Sequence, residues 1–202
     1  MRHIEKGPII ARNGAEIDAA LRKMGYDPKT VYFKRDPRLF FEYEGETKGL
    51  FESATPREEY TKLSALYAAD PVHVVRPIAE VKNGTHDGAL FVGFVMEQAK
   101  GLILGALDYD SYYSEKSNAE IRRNRIKFVS ALEDLISAVN GLHNRGLYHG
   151  DLNYFNIIVN RRGRIKLIDP YVMDSDDARL DDVIRIASYE KKLEHVKSLL
   201  RE

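Results

Sequence analysis

The sequence predicts an α+β fold made of two unlike lobes. Helices and strands alternate along the chain: a short helix, a small group of strands, a second helix, further strands and then a long helix. Three strand-like runs (31–34, 39–43 and 47–51) favour a small antiparallel meander. Because the later half is mainly helical, we expect an N-terminal lobe over 1–97 and a reduced C-terminal lobe over 98–202.

The composition is that of an ordinary globular chain of 202 residues, with 44% hydrophobic and 31% charged residues. Its 31 basic and 31 acidic residues balance, so no overall field favours nucleic acid or an anionic membrane. The lack of cysteine excludes disulfides and cysteine-ligated zinc. Because neither a long apolar run nor an N-terminal apolar core occurs, we expect a cytoplasmic protein that does not enter a membrane.

The first helix is predicted over 14–25. Ile17, Leu21 and Met24 recur there with helical spacing, and Gly25 stands where a helix would end. This helix would precede the strands of the N-terminal lobe.

The second helix has a clear start. Thr55 can be its N-cap, Pro56 its first residue and Glu58 the partner that completes a capping box, and the helix should reach about residue 69. Glu59 lies on its buried stripe, four residues before Leu63. An acidic side chain on a buried face needs a partner, so we expect a lysine on the neighbouring sheet.

The later elements follow from shorter patterns. Residues 72–75 and 78–81 look extended, and 89–96 reads as a buried strand. The longest helix is predicted over 118–144, and 181–200 should be one further helix. The apolar face of that last helix would consist of Val183, Ile186, Leu193, Val196 and Leu200.

Chemistry is concentrated after the long helix, in His149–Asn156 and the strand that follows. That strand ends at Asp169, and a hairpin would bring Asp169 back toward Asn156. A carboxylate and an amide oxygen meeting in this way suit Mg²⁺. Asp151 is then left to orient and deprotonate a substrate hydroxyl.

This segment resembles the active site of protein-kinase-like enzymes. His149–Asn156 resembles the H-x-D-L-x-x-x-N catalytic loop, and Asp169 occupies the place of the metal-binding aspartate, although Pro170 follows it. With Gly150 in place of arginine, the loop is similar to that of RIO kinases, the small kinase of the tRNA-modifying KEOPS complex and antibiotic phosphotransferases. The resemblance implies a kinase-like two-lobed fold with a reduced C-terminal lobe, an atypical serine/threonine protein kinase activity, and ATP and Mg²⁺ as cofactors.

The resemblance also implies a role for each matching residue of the loop and the hairpin. Asp151 resembles the catalytic base, and Asn156 and Asp169 resemble the Mg²⁺ ligands. His149 resembles the histidine that braces the loop.

On the nucleotide side, the backbones of Glu97 and Ala99 would contact adenine. Glu59 resembles the helix glutamate that pairs with the ATP-binding lysine. Lys48, on the last predicted strand before that helix, is the favoured lysine, and Lys34 is the rival because its strand imitates the V-A-I-K pattern.

Two departures from the family pattern leave alternatives open. The chain has no G-x-G-x-x-G loop, and little sequence for peptide docking follows Asp169. A pseudokinase that binds nucleotide as a regulatory partner, a small-molecule phosphotransferase, and a subunit of a larger complex all remain open. A protein substrate with a hydroxyl side chain is the expected partner, and nucleic acid is less favoured because the basic runs suit exposed surfaces. The alternative without a catalytic function is that Asp151, Asn156 and Asp169 only cap turns.

Overall fold

The computed structural model describes residues 7–11, 14–35, 56–83, 90–112, 117–172 and 175–201. These residues form a mixed α+β structure with two small sheets. The strands are β1 (Ile9–Ile10), β2 (Val31–Arg35), β3 (Pro77–Asn83), β4 (Leu90–Glu97), β5 (Leu102–Ile103), β6 (Ile157–Val159) and β7 (Ile165–Leu167). The helices are α1 (Gly14–Lys23), α2 (Pro56–Ala69), α3 (Leu104–Tyr112), α4 (Asn118–His143) and α5 (Ser175–Leu199).

The first sheet has the strand order β1-β3-β4-β2. β4 pairs antiparallel with both β3 and β2, whereas β1 runs parallel to β3. Ile17 and Leu21 of α1 share a buried core with Val81 of β3 and Val95 of β4. The hydrophobic stripe of α1 therefore covers one face of this sheet.

The predictions for the first part of the chain are confirmed where the structure describes it. The first helix is α1, and Gly25 follows it with a φ of +85°, a conformation that glycine adopts without steric cost. The strand predicted over 31–34 is β2. The strands predicted over 39–43 and 47–51, and the proposed N-cap Thr55, lie outside the described residues.

The segment after α2 begins with a turn, so the prediction of an extended run over 72–75 is wrong for Val72 and His73. The carboxylate of Asp70 accepts the backbone N–H groups of Val72 and His73, each at 3.1 Å. Such a side-chain bond to the backbone two and three residues on closes a turn in place of a strand. Val74 alone makes an isolated bridge, to β7.

The second sheet has the order β5-β6-β7, and α4 packs beside it. The carboxylate of Glu120 accepts the backbone N–H of Ser117 at 3.1 Å, which caps the start of α4. Phe128, Leu132 and Leu135 form part of the buried stripe of the helix. The long helix predicted over 118–144 is confirmed.

The last helix, α5, begins six residues before the predicted start at 181, at Ser175. Ile186, Leu193 and Val196 are buried as predicted. Val183 is 48% exposed, so its assignment to the buried face is wrong. The buried stripe instead runs through Ala178, Asp182 and Ile186, and Val183 lies about 100° around the helix from Asp182.

The residues divide by their contacts into two compact units. One is drawn from Met1–Ser64 and Arg76–Gln98, and the other from Ala65–Val75 and Ala99–Glu202. The first sheet and α1 belong to the first unit; the second sheet, α3, α4 and α5 belong to the second. The boundary between an N-terminal lobe ending at residue 97 and a C-terminal lobe starting at residue 98 stays a prediction. None of the described helices combines the length and the apolar character needed to span a membrane.

Candidate active site

The hairpin of β6 and β7 lies at the centre of the candidate site. The two strands pair antiparallel, with Ile157 opposite Leu167. One step beyond this pair, the N–H of Ile168 donates to the carbonyl of Asn156 at 3.0 Å. The side-chain nitrogen of Asn156 lies 3.5 Å from the carbonyl oxygen of Asp169. The hairpin thus brings Asn156 and Asp169 together at its open end.

Asp151 is held at the same end by two amide side chains. Its Oδ1 accepts a hydrogen bond from Nδ2 of Asn153 at 2.8 Å, and its Oδ2 accepts one from Nδ2 of Asn156 at 2.7 Å. A carboxylate has about four lone-pair positions, so these two bonds orient the group and leave acceptor capacity on both oxygens. Asn153 is fixed in turn, because its Oδ1 accepts the backbone N–H of Phe155 at 2.8 Å.

Asn156 is oriented by its amide nitrogen. That nitrogen donates to the Asp151 carboxylate and also to the Asp151 carbonyl oxygen, at 3.1 Å. The residue is 9% exposed. Because the nitrogen is engaged with Asp151, the amide oxygen is the atom of Asn156 that a metal ion could use.

Asp169 has a φ of +51°, and among the described residues it is the one non-glycine residue with a positive φ. This conformation costs roughly 1–2 kcal/mol for a residue with a side chain. Bonds on both sides hold it: Ile168 donates to Asn156, and the N–H of Tyr171 donates to the carbonyl of His149 at 3.1 Å. Strain of this kind persists only where the surroundings enforce it, and it often marks a functional site.

His149 holds the loop through both nitrogens of its ring. Its Nδ1 accepts the backbone N–H of Asp151 at 3.3 Å, so its Nε2 carries the proton and donates to the carbonyl of Ile168 at 2.9 Å. The residue is 1% exposed. His149 therefore links the loop over 149–156 to the end of β7.

Asp182 is a site residue that the sequence analysis missed. It is fully buried in α5, and its two carboxylate oxygens accept the backbone N–H groups of His149 at 2.7 Å and Gly150 at 2.8 Å. Its Oδ2 also lies 3.1 Å from Nε2 of His143. One carboxylate thus fixes the start of the loop over 149–156 to α5.

A signal for Asp182 was present in the sequence. The residue shares one helical stripe with Ile186, Tyr189 and Leu193, all buried. An acidic residue in a buried stripe requires a partner, which is the argument that singled out Glu59. Tyr189 strengthens the same contact between α5 and the loop, since its hydroxyl donates to the carbonyl of Leu152 at 2.6 Å.

Negative charge accumulates around Asp151. Burial raises the pKa of the Asp181 carboxyl; the nearby Arg185 guanidinium opposes this rise, and the carboxylates of Asp182 and Asp151 add to it. Because the pKa is raised in the folded chain, ionising Asp181 costs stability as the pH rises through its folded pKa. Among the residues that the structure describes, no cluster of three or more His, Asp or Glu side chains is arranged to hold a metal ion.

The predicted lysines are described only in part. Lys48 lies outside the described residues. The backbone of Lys34 lies in β2, opposite Phe94 of β4, the strand that ends at Glu97. Glu59 lies in the first turn of α2, half-buried, in the same compact unit as Lys34.

The predicted adenine contacts lie at the end of β4 and just beyond it. The N–H of Glu97 donates to the carbonyl of Arg76 at 2.9 Å, and the N–H of Gln98 donates to the carbonyl of Thr30 at 3.0 Å. Both bonds tie the end of β4 to neighbouring backbone. The assignment of Glu97 and Ala99 to adenine stays a prediction.

Comparison with known proteins gives one distant kinase-like similarity. The chain is 34% identical over 101 residues to a protein of Caenorhabditis elegans that is provisionally named a tyrosine-protein kinase. The match covers 46% of this chain and 30% of that protein, so the chain spans about a third of its relative's length. No protein-family model matches the chain. The comparison therefore supports a kinase-like relationship and no finer assignment.

Proposed function

We propose that this chain is an ATP-dependent phosphotransferase with a kinase-like two-lobed fold and a reduced C-terminal lobe. It would act as an atypical serine/threonine protein kinase, moving the γ-phosphate of ATP to a hydroxyl. The proposal rests on one observation: Asp151, Asn156 and Asp169 lie together at the open end of the hairpin. There Asn156 donates to the Asp151 carboxylate and lies beside the backbone of Asp169.

The donor set fits Mg²⁺. Asp169 offers a carboxylate and Asn156 an amide oxygen, both ligand types that Mg²⁺ prefers. The bonds from the Asn156 nitrogen to Asp151 fix the orientation of that amide. When bound, the ion would neutralise negative charge on the phosphates of ATP.

Asp151 would act as the base. It would accept the proton of the attacking hydroxyl while that oxygen bonds to the γ-phosphorus and the bond between this phosphorus and ADP breaks. Asn153 and Asn156 keep the carboxylate in one orientation, so little reorganisation accompanies the step. Asp182 supports the geometry through the backbone of His149 and Gly150.

Nucleotide binding would involve the end of β4 and a lysine paired with Glu59. The backbones of Glu97 and Ala99 would contact adenine, and Lys34 or Lys48, paired with Glu59, would contact the phosphates. Thermal-shift titration with Mg·ATP separates the two lysines: the variant of the phosphate-contacting lysine (Lys34→Ala or Lys48→Ala) should lose most of the ATP-induced stabilisation.

The physiological partner would be a protein with a hydroxyl side chain, and the chain could work inside a larger complex. The similarity of Gly150 and its neighbours to RIO and KEOPS kinases motivates this part of the proposal. A second acceptor, tyrosine, is favoured by the name of the C. elegans relative. Phosphoamino-acid analysis of a labelled substrate distinguishes serine and threonine from tyrosine.

The direct test is transfer of labelled γ-phosphate to a mixed set of hydroxyl-bearing peptides, with Mg²⁺ present or chelated. We expect Mg²⁺-dependent transfer by the wild type. Asp151→Asn should slow transfer by about a hundredfold or more, since general-base catalysis contributes at least that much.

Asp177→Asn is the matched control, because Asp177 is an exposed acid in the first turn of α5. It should transfer phosphate at the wild-type rate. Equal rates for Asp151→Asn and the wild type would refute the catalytic role. Binding of Mg·ATP by the wild type without transfer to any acceptor would instead indicate a pseudokinase.

A further inference from the structure

A cavity of about 680 Å³ lies in the second compact unit, beside the catalytic loop. Its walls come from α3, from α5 and from Tyr154 and Phe155 of the loop. Four of its lining residues are tyrosine or phenylalanine: Tyr109, Tyr112, Tyr154 and Phe155. This volume is in the range of sites that take small ligands or side chains.

The charges in the cavity are paired with each other. Nζ of Lys192 lies 3.1 Å from Oδ1 of Asp108 and 4.5 Å above the ring of Tyr112. The ring of His195 lies parallel to that of Tyr112, with the two ring centroids 5.9 Å apart. Because the lysine and the aspartate neutralise each other, the cavity presents aromatic faces and no net charge from this pair.

Two of the aromatic side chains remain open to solvent. Tyr109 is 61% exposed and Phe155 is 68% exposed. Large aromatic side chains exposed together at the edge of a cavity commonly mark a binding site. The apolar surface of each of these two rings is removed from water only when a binding partner covers it.

The cavity is connected to the candidate catalytic base through the chain. Phe155 is four residues from Asp151, so their Cα atoms lie no more than about 15 Å apart. The N–H of Gly105, at the start of α3, donates to the carbonyl of Tyr154 at 3.4 Å. An extended polypeptide with a hydroxyl at Asp151 could therefore reach the cavity with a residue about four positions away.

We propose that this cavity binds an aromatic side chain of the acceptor polypeptide, within about four residues of the hydroxyl that receives the phosphate. The proposal rests on the proposed phosphotransferase function and adds the class of substrate. A polypeptide suits the site better than a nucleic acid, because nucleic-acid sites need cations for phosphate and Lys192 is engaged with Asp108.

The test uses tryptophan as the probe, since the chain itself contains none. A series of short peptides carries one serine and one tryptophan, and the tryptophan is moved position by position to about four residues on either side. Tryptophan emission and anisotropy are measured against the full chain, with no ATP. We expect a blue shift and saturable binding for one or two positions of the tryptophan.

Tyr109→Ala should weaken that binding by about tenfold, which corresponds to about 1.4 kcal/mol, and Tyr109→Phe should restore it, because the contact that is lost is aromatic. Tyr32→Ala is the matched control: Tyr32 is a tyrosine of similar exposure, 52%, in β2. It should bind like the wild type.

The proposal is overturned if no peptide shifts the emission, if Tyr32→Ala weakens binding as much as Tyr109→Ala, or if an oligonucleotide displaces the peptide. Because the readout needs no turnover, it is separate from the test of phosphate transfer. Transfer without any preference for an aromatic residue would overturn the cavity proposal alone. Tyr109-dependent binding without transfer would support the cavity proposal and count against the phosphotransferase function.

Discussion

The two ends of the β6–β7 hairpin use charged residues in opposite ways. At the turn end, Asp134 faces basic groups: its Oδ1 lies 3.2 Å from Nη2 of Arg164 and 3.4 Å from Nε2 of His73. At the open end, the carboxylate of Asp151 is held by neutral amides. The turn end pairs its carboxylate with basic side chains, whereas the open end orients a carboxylate between two uncharged amides.

Strand β7 also anchors the segment that follows α2. Nζ of Lys166 donates to the carbonyls of Pro71 at 3.1 Å and Val74 at 2.9 Å. The N–H of Leu167 donates to the carbonyl of His73 at 2.7 Å. Because the contacts of Asp134 at the turn end serve stability, we expect substitutions at the two ends to separate stability from chemistry.

The largest effect is expected for Asp182→Ala. Removing this buried carboxylate leaves the N–H groups of His149 and Gly150 without their acceptors, which should cost roughly 3 kcal/mol of unfolding free energy. Transfer should be lost as well, because the loop loses its support. Denaturant unfolding and the transfer assay measure the two effects. A stable, active Asp182→Ala protein would contradict the role assigned to this residue.

The next effect is expected for Asp134→Ala at the turn end. The variant loses the bond from the N–H of Ile165, at 2.9 Å, and leaves Arg164 without its partner. Stability should fall by about 2 kcal/mol, while transfer per folded molecule stays unchanged. A loss of transfer that exceeds the loss of folded protein would show that the two ends are not independent.

A smaller effect should distinguish two substitutions of Asp169. Asp169→Gly relieves the strain of the positive φ, whereas Asp169→Ala keeps it. The glycine variant should be more stable than the alanine variant by about 1 kcal/mol, with both inactive. Chemical denaturation of the pair measures this difference, and an alanine variant at least as stable as the glycine variant would argue against a strained backbone.

The smallest effect concerns Asp70. Burial favours its neutral form, but hydrogen bonds from the His73 ring and backbone outweigh burial and lower the pKa of the Asp70 carboxyl. A lowered folded pKa stabilises the fold above the unfolded pKa, and this stability is lost as the pH falls through the folded pKa. Asp70→Asn should therefore lose less stability than the wild type between neutral and acidic pH. Thermal unfolding across that range measures it, and identical pH profiles would contradict the assignment.

Much of the fold could be predicted because its long elements carry strong periodicity. α4 and the hairpin followed from helical spacing and turn residues, and the loop spacing placed Asp151 near Asn156. β1, by contrast, has only two residues and carries no periodicity of its own. It exists because β3 offers it an edge, which only the folded chain provides.

The rest of the site depended on contacts that are distant in sequence. Asp182 meets His149 across more than thirty positions, so neither residue indicates the other locally. The turn after α2 was misread because Val72, Val74 and Val75 imitate a strand, while Asp70 closes the turn with one side chain. The aromatic cavity likewise assembles from three separate segments.

The most direct test compares Asp169→Asn with Asp134→Asn in the Mg²⁺ dependence of labelled phosphate transfer, corrected for the folded fraction of each protein. Asp169→Asn should fall by at least about a hundredfold at saturating ATP, because a metal ion contributes several kcal/mol of charge stabilisation. Asp134→Asn should retain the wild-type rate per folded molecule. Undiminished transfer by Asp169→Asn would contradict the assignment of chemistry to the open end of the hairpin.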